Sequence, residues 1–261
     1  MSTYTYDGLA LHAVFSHADS YDRFMGRYSS LLSGQLADLA AVAAGHRVLD
    51  VGCGPGALTA ELARRVGASA VTAVDPSEPF VAAVRVRHPG VDARVASAES
   101  LPFGDSTFDA ALAQLVVHFM RDPVAGLAEM ARVTRRGGVV AACVWDEQEN
   151  PSSPFWRAVR DVDPAFERPA DRPGTREGHL AQLFALAGLR DVESTSVRAR
   201  LEHPTFESWW QPFELGVGPT GAYLAGVDDG TRAAVRERAR ALMPPFPFTH
   251  DVRAWAVRGA A

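Results

Sequence analysis

The chain has 261 residues, 47% of them hydrophobic, and a formal net charge of −5, with arginine supplying all 26 basic side chains. That length and apolar content can close a full hydrophobic core as one globular unit. The acidic balance excludes a general affinity for nucleic acid or an anionic membrane surface, and two distant cysteines, Cys53 and Cys143, make no disulfide framework.

The opening MSTYTYDGLALHAVF has no basic region, long apolar centre or small-residue cleavage site, so no signal peptide is expected. His12 and His17 have no partners at metal-ligand spacing, and no metal is expected. Tyr21 to Ala44 reads as one or two helices. From Arg47 to Asp146, the apolar strands HRVLDV, AVTAVD, ARVAS, FDAALAQ and GVVAACVW alternate with ALTAELARRV, PFVAAVRVRH and PVAGLAEMARVTR, whose apolar residues recur at helical spacing. Such alternation means βαβ units and an α/β fold, a mostly parallel sheet covered on both faces. Ligands bind such sheets at the strand C-termini. Asp50, Asp75, Ser97 and Gln114 all come at those ends. Asp146 to Arg176, rich in Pro, Arg and Asp, reads as an irregular insertion. After it come a helix (Arg176 to Leu189), a strand (DVESTSVRARLEH), the aromatic FESWWQPF, a polar helix (DDGTRAAVRERARALM) and a last strand, DVRAWAVR. The longest apolar run, AALAQLVV, falls far short of the ~20 residues of a membrane span, so no membrane partner is expected and the cytoplasm is the expected location.

The chemistry concentrates in VLDVGCGPGALT (Val48 to Thr59). Glycines at a strand-to-helix turn permit positive φ and let a ligand approach the main chain, and the following helix N-terminus favours polar or anionic groups. Gly52, Gly54 and Ala57 satisfy the loose dinucleotide pattern GxGxxA, with Asp75 near the ~20-residue offset of a ribose-binding acid. Asp50, two places before Gly52, points instead to a cationic ligand, because a pyrophosphate would be repelled there.

Four ordered blocks between Tyr21 and Trp145 carry a family resemblance: VLDVGCGPGALT, VTAVDPSEPFVAAVR, RVASAESLPFGDSTFDAALAQLVVHFMRDP and LAEMARVTRRGGVVAACVW. The chain resembles the class I S-adenosylmethionine-dependent methyltransferases, type 11 (ubiquinone/menaquinone methyltransferase-like) branch. The resemblance implies a Rossmann-like seven-stranded sheet with the last strand antiparallel. It implies a helical lid over residues 1–45, a cofactor-binding core over 46–146, and substrate-side insertions plus closing helix and strands over 147–261. It implies S-adenosyl-L-methionine as cofactor, S-adenosyl-L-homocysteine as product, and a small-molecule acceptor.

Carried over by position, Gly52, Cys53 and Gly54 would hold the methionine part by backbone contact, with Asp50 beside it. Asp75 would bind both ribose hydroxyls, Pro76 and Ser77 would flank the adenine, and Ala98 and Glu99 would cover its edge. Ser97 stands where relatives carry an acid for the adenine amino group, and a neutral acceptor is weaker than a charged one. Tyr21, Phe24 and Arg27, in YDRFMGRYS, would form a lid, with Arg27 facing the cofactor carboxylate; packing of Tyr21 and Phe24 into the core is the competing reading. Gln114 and Leu115 would touch the cofactor.

Methyl transfer from a sulfonium needs alignment more than a catalytic group. His118, after the fourth strand, is the candidate base, with a structural histidine as its competitor. Cys53 reads as a small spacer, not a nucleophile. Trp209, Trp210 and Phe213, with Phe155 and Trp156 as further candidates, suggest either core or a pocket for an aromatic or apolar acceptor. A non-catalytic S-adenosylmethionine-binding protein and a nicotinamide oxidoreductase remain as other classes. Either a monomer or a homodimer is compatible with the sequence.

Overall fold

The computed structural model describes residues 18–166 and 172–261; the N-terminal stretch read above, with His12 and His17, lies outside the described residues. The chain enters through α1 (Ala18–Tyr21), a π-helical turn (Asp22–Gly26) and α2 (Arg27–Leu39). There follow β1 (Val48–Val51), α3 (Ala57–Val66), β2 (Val71–Asp75), α4 (Glu78–Arg87), β3 (Asp92–Val95), β4 (Phe108–Gln114), α5 (Pro123–Val133) and β5 (Thr134–Trp145). Beyond them lie α6 (Ser153–Val162), α7 (His179–Leu186), β6 (Arg190–His203), α8 (Phe206–Trp210), α9 (Gly218–Gly226), α10 (Asp229–Leu242) and β7 (Phe248–Ala260).

The seven strands form one sheet in the order β3-β2-β1-β4-β5-β7-β6. Pairing is parallel from β3 through β5, and β7 runs antiparallel to both β5 and β6. This is the α/β arrangement expected, including the antiparallel last strand. Parallel strands must be covered on both faces, which explains why every residue of β1 is buried. Val48 joins Leu32 and Leu36 of α2 and Leu58 and Leu62 of α3 on one face, while Leu49 and Val51 join Leu127 and Met130 of α5 and Phe184 of α7 on the other. The period-two alternation of a short apolar strand therefore decides which helix layer each residue meets.

A third, aromatic cluster gathers side chains from α6, α8, α9 and α10, with Phe24 from the N-terminal segment. Its presence corrects the reading of 146–176 as irregular. Pro154 occupies the first turn of α6, where its missing N–H is harmless, and Phe155, Trp156, Ala158 and Val159 are buried along the helix. The segment's polar composition hid that apolar stripe. FESWWQPF is likewise helical at its start, capped by Thr205 and Ser208 in a reciprocal capping box. No helix among the described residues is long and apolar enough to cross a membrane.

Candidate active site

A cavity of about 790 Å³ opens at the C-terminal ends of β1, β2 and β4. Gly52, Gly54, Asp75, Pro76 and Ser77 line it, as do Ser97, Ala98 and Glu99. Tyr21 and Phe24 reach it from the N-terminal helical segment, Gln114, Leu115 and His118 from the end of β4 and the loop after it. The topology explains this gathering, since parallel strands deliver all these ends to one edge.

The three glycines of the turn have three different physical reasons. Gly52 has φ of +71°, and a Cβ there would collide with the Val116 side chain. Its bareness therefore serves packing against the loop after β4, not a ligand as the sequence suggested. Gly54, at φ +51°, has no heavy atom within 4 Å of an added Cβ, so bare backbone faces open space. Gly56, at φ +104°, has the His88 ring 3.0 Å away from a hypothetical Cβ. The turn is tied to β2 through the N–H groups of Gly52 and Cys53, which donate to the Val74 carbonyl at 2.7 and 2.9 Å.

Asp75 is buried, and its two carboxylate oxygens accept from the backbone N–H groups of Gly54 (2.9 Å) and Ser77 (2.8 Å). One side chain thus braces both loops that border the cavity. Asp50 does not line the cavity. Its Oδ2 accepts from Thr59 Oγ1 at 2.6 Å, while Oδ1 is buried with no hydrogen-bond partner. Burial, with the Asp75 charge adding to it, pushes the Asp50 carboxyl up to about 7. Gln114 donates from Nε2 to the Ser29 carbonyl at 3.0 Å, leaving Oε1 buried and unpartnered.

Ser97 and Glu99 form a local unit rather than two free contacts. The Ser97 hydroxyl donates to the Glu99 carboxylate, whose Oε1 accepts from the Arg121 N–H at 2.8 Å. Glu99 thereby fastens the loop before α5. The Tyr21 ring packs edge-on to Phe80 at 5.5 Å, and burial pushes its phenol up to about 12. His118 sits in the short 3₁₀ turn Val117–Phe119, its ring 4.0 Å from that of Phe119.

Several sequence-based expectations land elsewhere. Arg27 is absent from the cavity wall; its Nη1 donates to the Ser208 carbonyl at 3.3 Å and it lies by the Tyr28 ring. Cys53 is buried behind the turn, where burial raises its thiol well above the ordinary value, a poor thiolate by any reading. Trp209, Trp210 and Phe213 are 1%, 0% and 2% exposed and belong to the aromatic cluster, not the cavity. Adjacent aromatic residues on a short helix were swallowed together because helices close round them on several sides. Phe155 is buried in the same cluster, whereas Trp156 lines the cavity. The sequence reading missed Trp145 and Gly218–Thr220 as lining residues. Trp145 ends β5, so the strand-end rule that found Gln114 would have found it too.

The residues suit a cationic nucleoside ligand on structural grounds: open space at Gly54, a buried acid at Asp75, and unpartnered oxygens on Asp50 and Gln114. Comparison with known proteins agrees. Residues 49–142 match the family described as "Methyltransferase domain". The chain is 43% identical over 115 residues to methyltransferase GfsG of Streptomyces halstedii, covering 42% of this chain and 41% of that protein. It is 34% identical over 123 residues to a malonyl-[acyl-carrier protein] O-methyltransferase of Erwinia billingiae, covering 47% of this chain and 48% of the relative. These matches span less than half the length of either relative. The fold superposes on YcgJ of Bacillus subtilis with a TM-score of 0.57 at 21% identity, covering 87% of this chain and 97% of the other. Through its 49–142 segment, the chain belongs to the class I S-adenosylmethionine-dependent methyltransferases, type 11.

Proposed function

We propose that the protein transfers a methyl group from S-adenosyl-L-methionine to a small, largely apolar acceptor. The observation that carries this reading is the joining of the Gly54 turn and Asp75 in one cavity with His118, Trp145 and Trp156. Asp75 would hold the ribose hydroxyls, Gly54 would present bare backbone to the methionine part, and Pro76, Ser77 and Ala98 would border the adenine. Gln114 Oε1 and Asp50 Oδ1 supply acceptors for the ammonium group, directly or through water. When bound, the cofactor supplies a methyl group already activated for in-line displacement.

The chain's own contribution is alignment and exclusion of water. Tyr21 and Phe24 would act as a lid, the segment before 46 covering the cofactor and the segment after 146 shaping the acceptor side. His118 would take the proton of an acceptor hydroxyl or amine as the new bond forms. His118→Ala is expected to lower turnover about 100-fold while leaving S-adenosylhomocysteine affinity within twofold. A rate unchanged at every pH from 6 to 9 would leave His118 only a structural part.

The acid at Asp50 gives a pH signature with a definite sign. Its folded pKa is raised to about 7, so the folded state gains a proton relative to the unfolded state between the ordinary carboxylate value and that point. This group's share of stability is therefore full at acid pH and is lost as pH rises towards and through 7. A bound cation favours the ionised form, so S-adenosylhomocysteine affinity should rise several-fold from pH 6 to 8. Asp50→Asn should flatten that rise and melt above the parent at pH 8. Titration calorimetry and thermal melts read both; an unaltered slope in the variant rejects the role.

The function as a whole is tested by incubating the protein with methyl-labelled donor and a cell extract, then identifying the labelled product. Label appearing in a small molecule supports the reading. Binding of NADH, with no response to S-adenosylhomocysteine, would replace it with a nicotinamide enzyme. Cofactor binding with no labelled product across a broad acceptor panel would point to a non-catalytic binder.

A further inference from the structure

The first turn of α9 contributes Gly218, Pro219 and Thr220 to the cavity wall. Pro219 has no N–H, and those of Gly218 and Thr220 have no backbone partner among the described residues. Thr220 is only 1% exposed, yet its Oγ1 has no hydrogen-bond partner. One turn along the same helix face, the buried Tyr223 hydroxyl is unpartnered as well. Its ring packs at 6.0 Å from Trp156, itself a cavity residue. Buried hydroxyls are nearly always bonded, so two unbonded on one face mark a place completed by a ligand. A χ1 step exchanges the Thr220 hydroxyl with its methyl group, which lets the hydroxyl turn to the cavity.

The chemistry of this turn is that of a donor set. A helix N-terminus carries partial positive charge and free N–H groups, and α9 is nine residues long. Arg172, seated 5.3 Å over the Phe119 ring, lines the same cavity. Trp145, Trp156 and Phe119 make the neighbouring surface aromatic. We propose that the first turn of α9 anchors the methyl acceptor, with Thr220 Oγ1 donating to a carboxylate oxygen carried on an apolar, ring-bearing molecule. This deepens the function proposed above and rests on it for which part of the cavity is left to the acceptor.

The test uses matched probes, 2-naphthoate and 2-naphthylmethylammonium, titrated calorimetrically into protein saturated with S-adenosylhomocysteine. Naphthoate should bind at least fivefold more tightly than the ammonium, which can only donate. Thr220→Val, of equal size, should weaken naphthoate about fivefold and leave the ammonium probe and S-adenosylhomocysteine within twofold. Thr220→Ser should restore naphthoate binding, which a purely structural role for the methyl group would not explain. Equal or tighter binding of the ammonium, no measurable naphthoate binding, or a Thr220→Val response within twofold overturns the proposal. Thr220-dependent naphthoate binding by a protein that ignores S-adenosylhomocysteine would sink the cofactor reading and leave this site standing.

Discussion

Asp75→Ala should weaken S-adenosylhomocysteine binding about 100-fold in titration calorimetry. The carboxylate does two things that alanine cannot do. It braces the glycine turn and the loop after β2 by accepting from Gly54 and Ser77, and its remaining lone pairs face the cavity that it lines. Hydrogen bonds to a charged group contribute roughly 1.5–3 kcal/mol each. Losing two such bonds to a ribose corresponds to at least ~3 kcal/mol, or about a hundredfold in affinity. Asp75→Asn keeps one carbonyl acceptor and should lie between, at about tenfold. A thermal melt of each variant separates a loosened turn from a lost ligand contact. Affinity of Asp75→Ala within twofold of the parent would remove the ribose role.

Trp209→Ala should destabilise the fold by about 3–5 kcal/mol in denaturant unfolding, the usual cost of deleting a large buried ring. Trp209 is 1% exposed and packs 4.9 Å from Phe213, edge to face, within the cluster that joins α6, α8, α9 and α10. The folded fraction should bind S-adenosylhomocysteine as the parent does, because Trp209 does not line the cavity. Trp209→Phe should recover most of the stability. A variant of unchanged stability but lost acceptor methylation would restore the pocket role that the sequence had suggested.

The difference between these two residues shows what sequence can carry. Asp75 was legible because two regularities meet in it: it ends an apolar strand, and it lies at the expected distance after a glycine turn. The five leading strands and their order were legible for the same reason, since strands buried on both faces leave continuous apolar runs between amphipathic helices. Gly52 and Gly54 were recognisable as turn residues but not separable. Only the position of Val116, more than sixty residues later, shows that one glycine serves packing and the other opens on the cavity. Trp209 and Trp156 were ambiguous because an aromatic side chain fits core and pocket equally well. Helix packing around α8 decides the first, and the placement of α6 beside the end of β5 decides the second. Both are long-range facts that local pattern does not encode. Arg27 failed for a related reason. Its position in a lid-like segment was readable, whereas the turn of α2 that directs it to the Ser208 carbonyl was not.

The most direct measurement is a crystal structure of the protein grown with saturating S-adenosylhomocysteine. The account predicts the ribose hydroxyls within hydrogen-bond distance of the Asp75 carboxylate, the amino-acid end against Gly54, and the adenine beside Ala98. Density for the ligand at any other place, or an empty cavity at saturating dose, contradicts it.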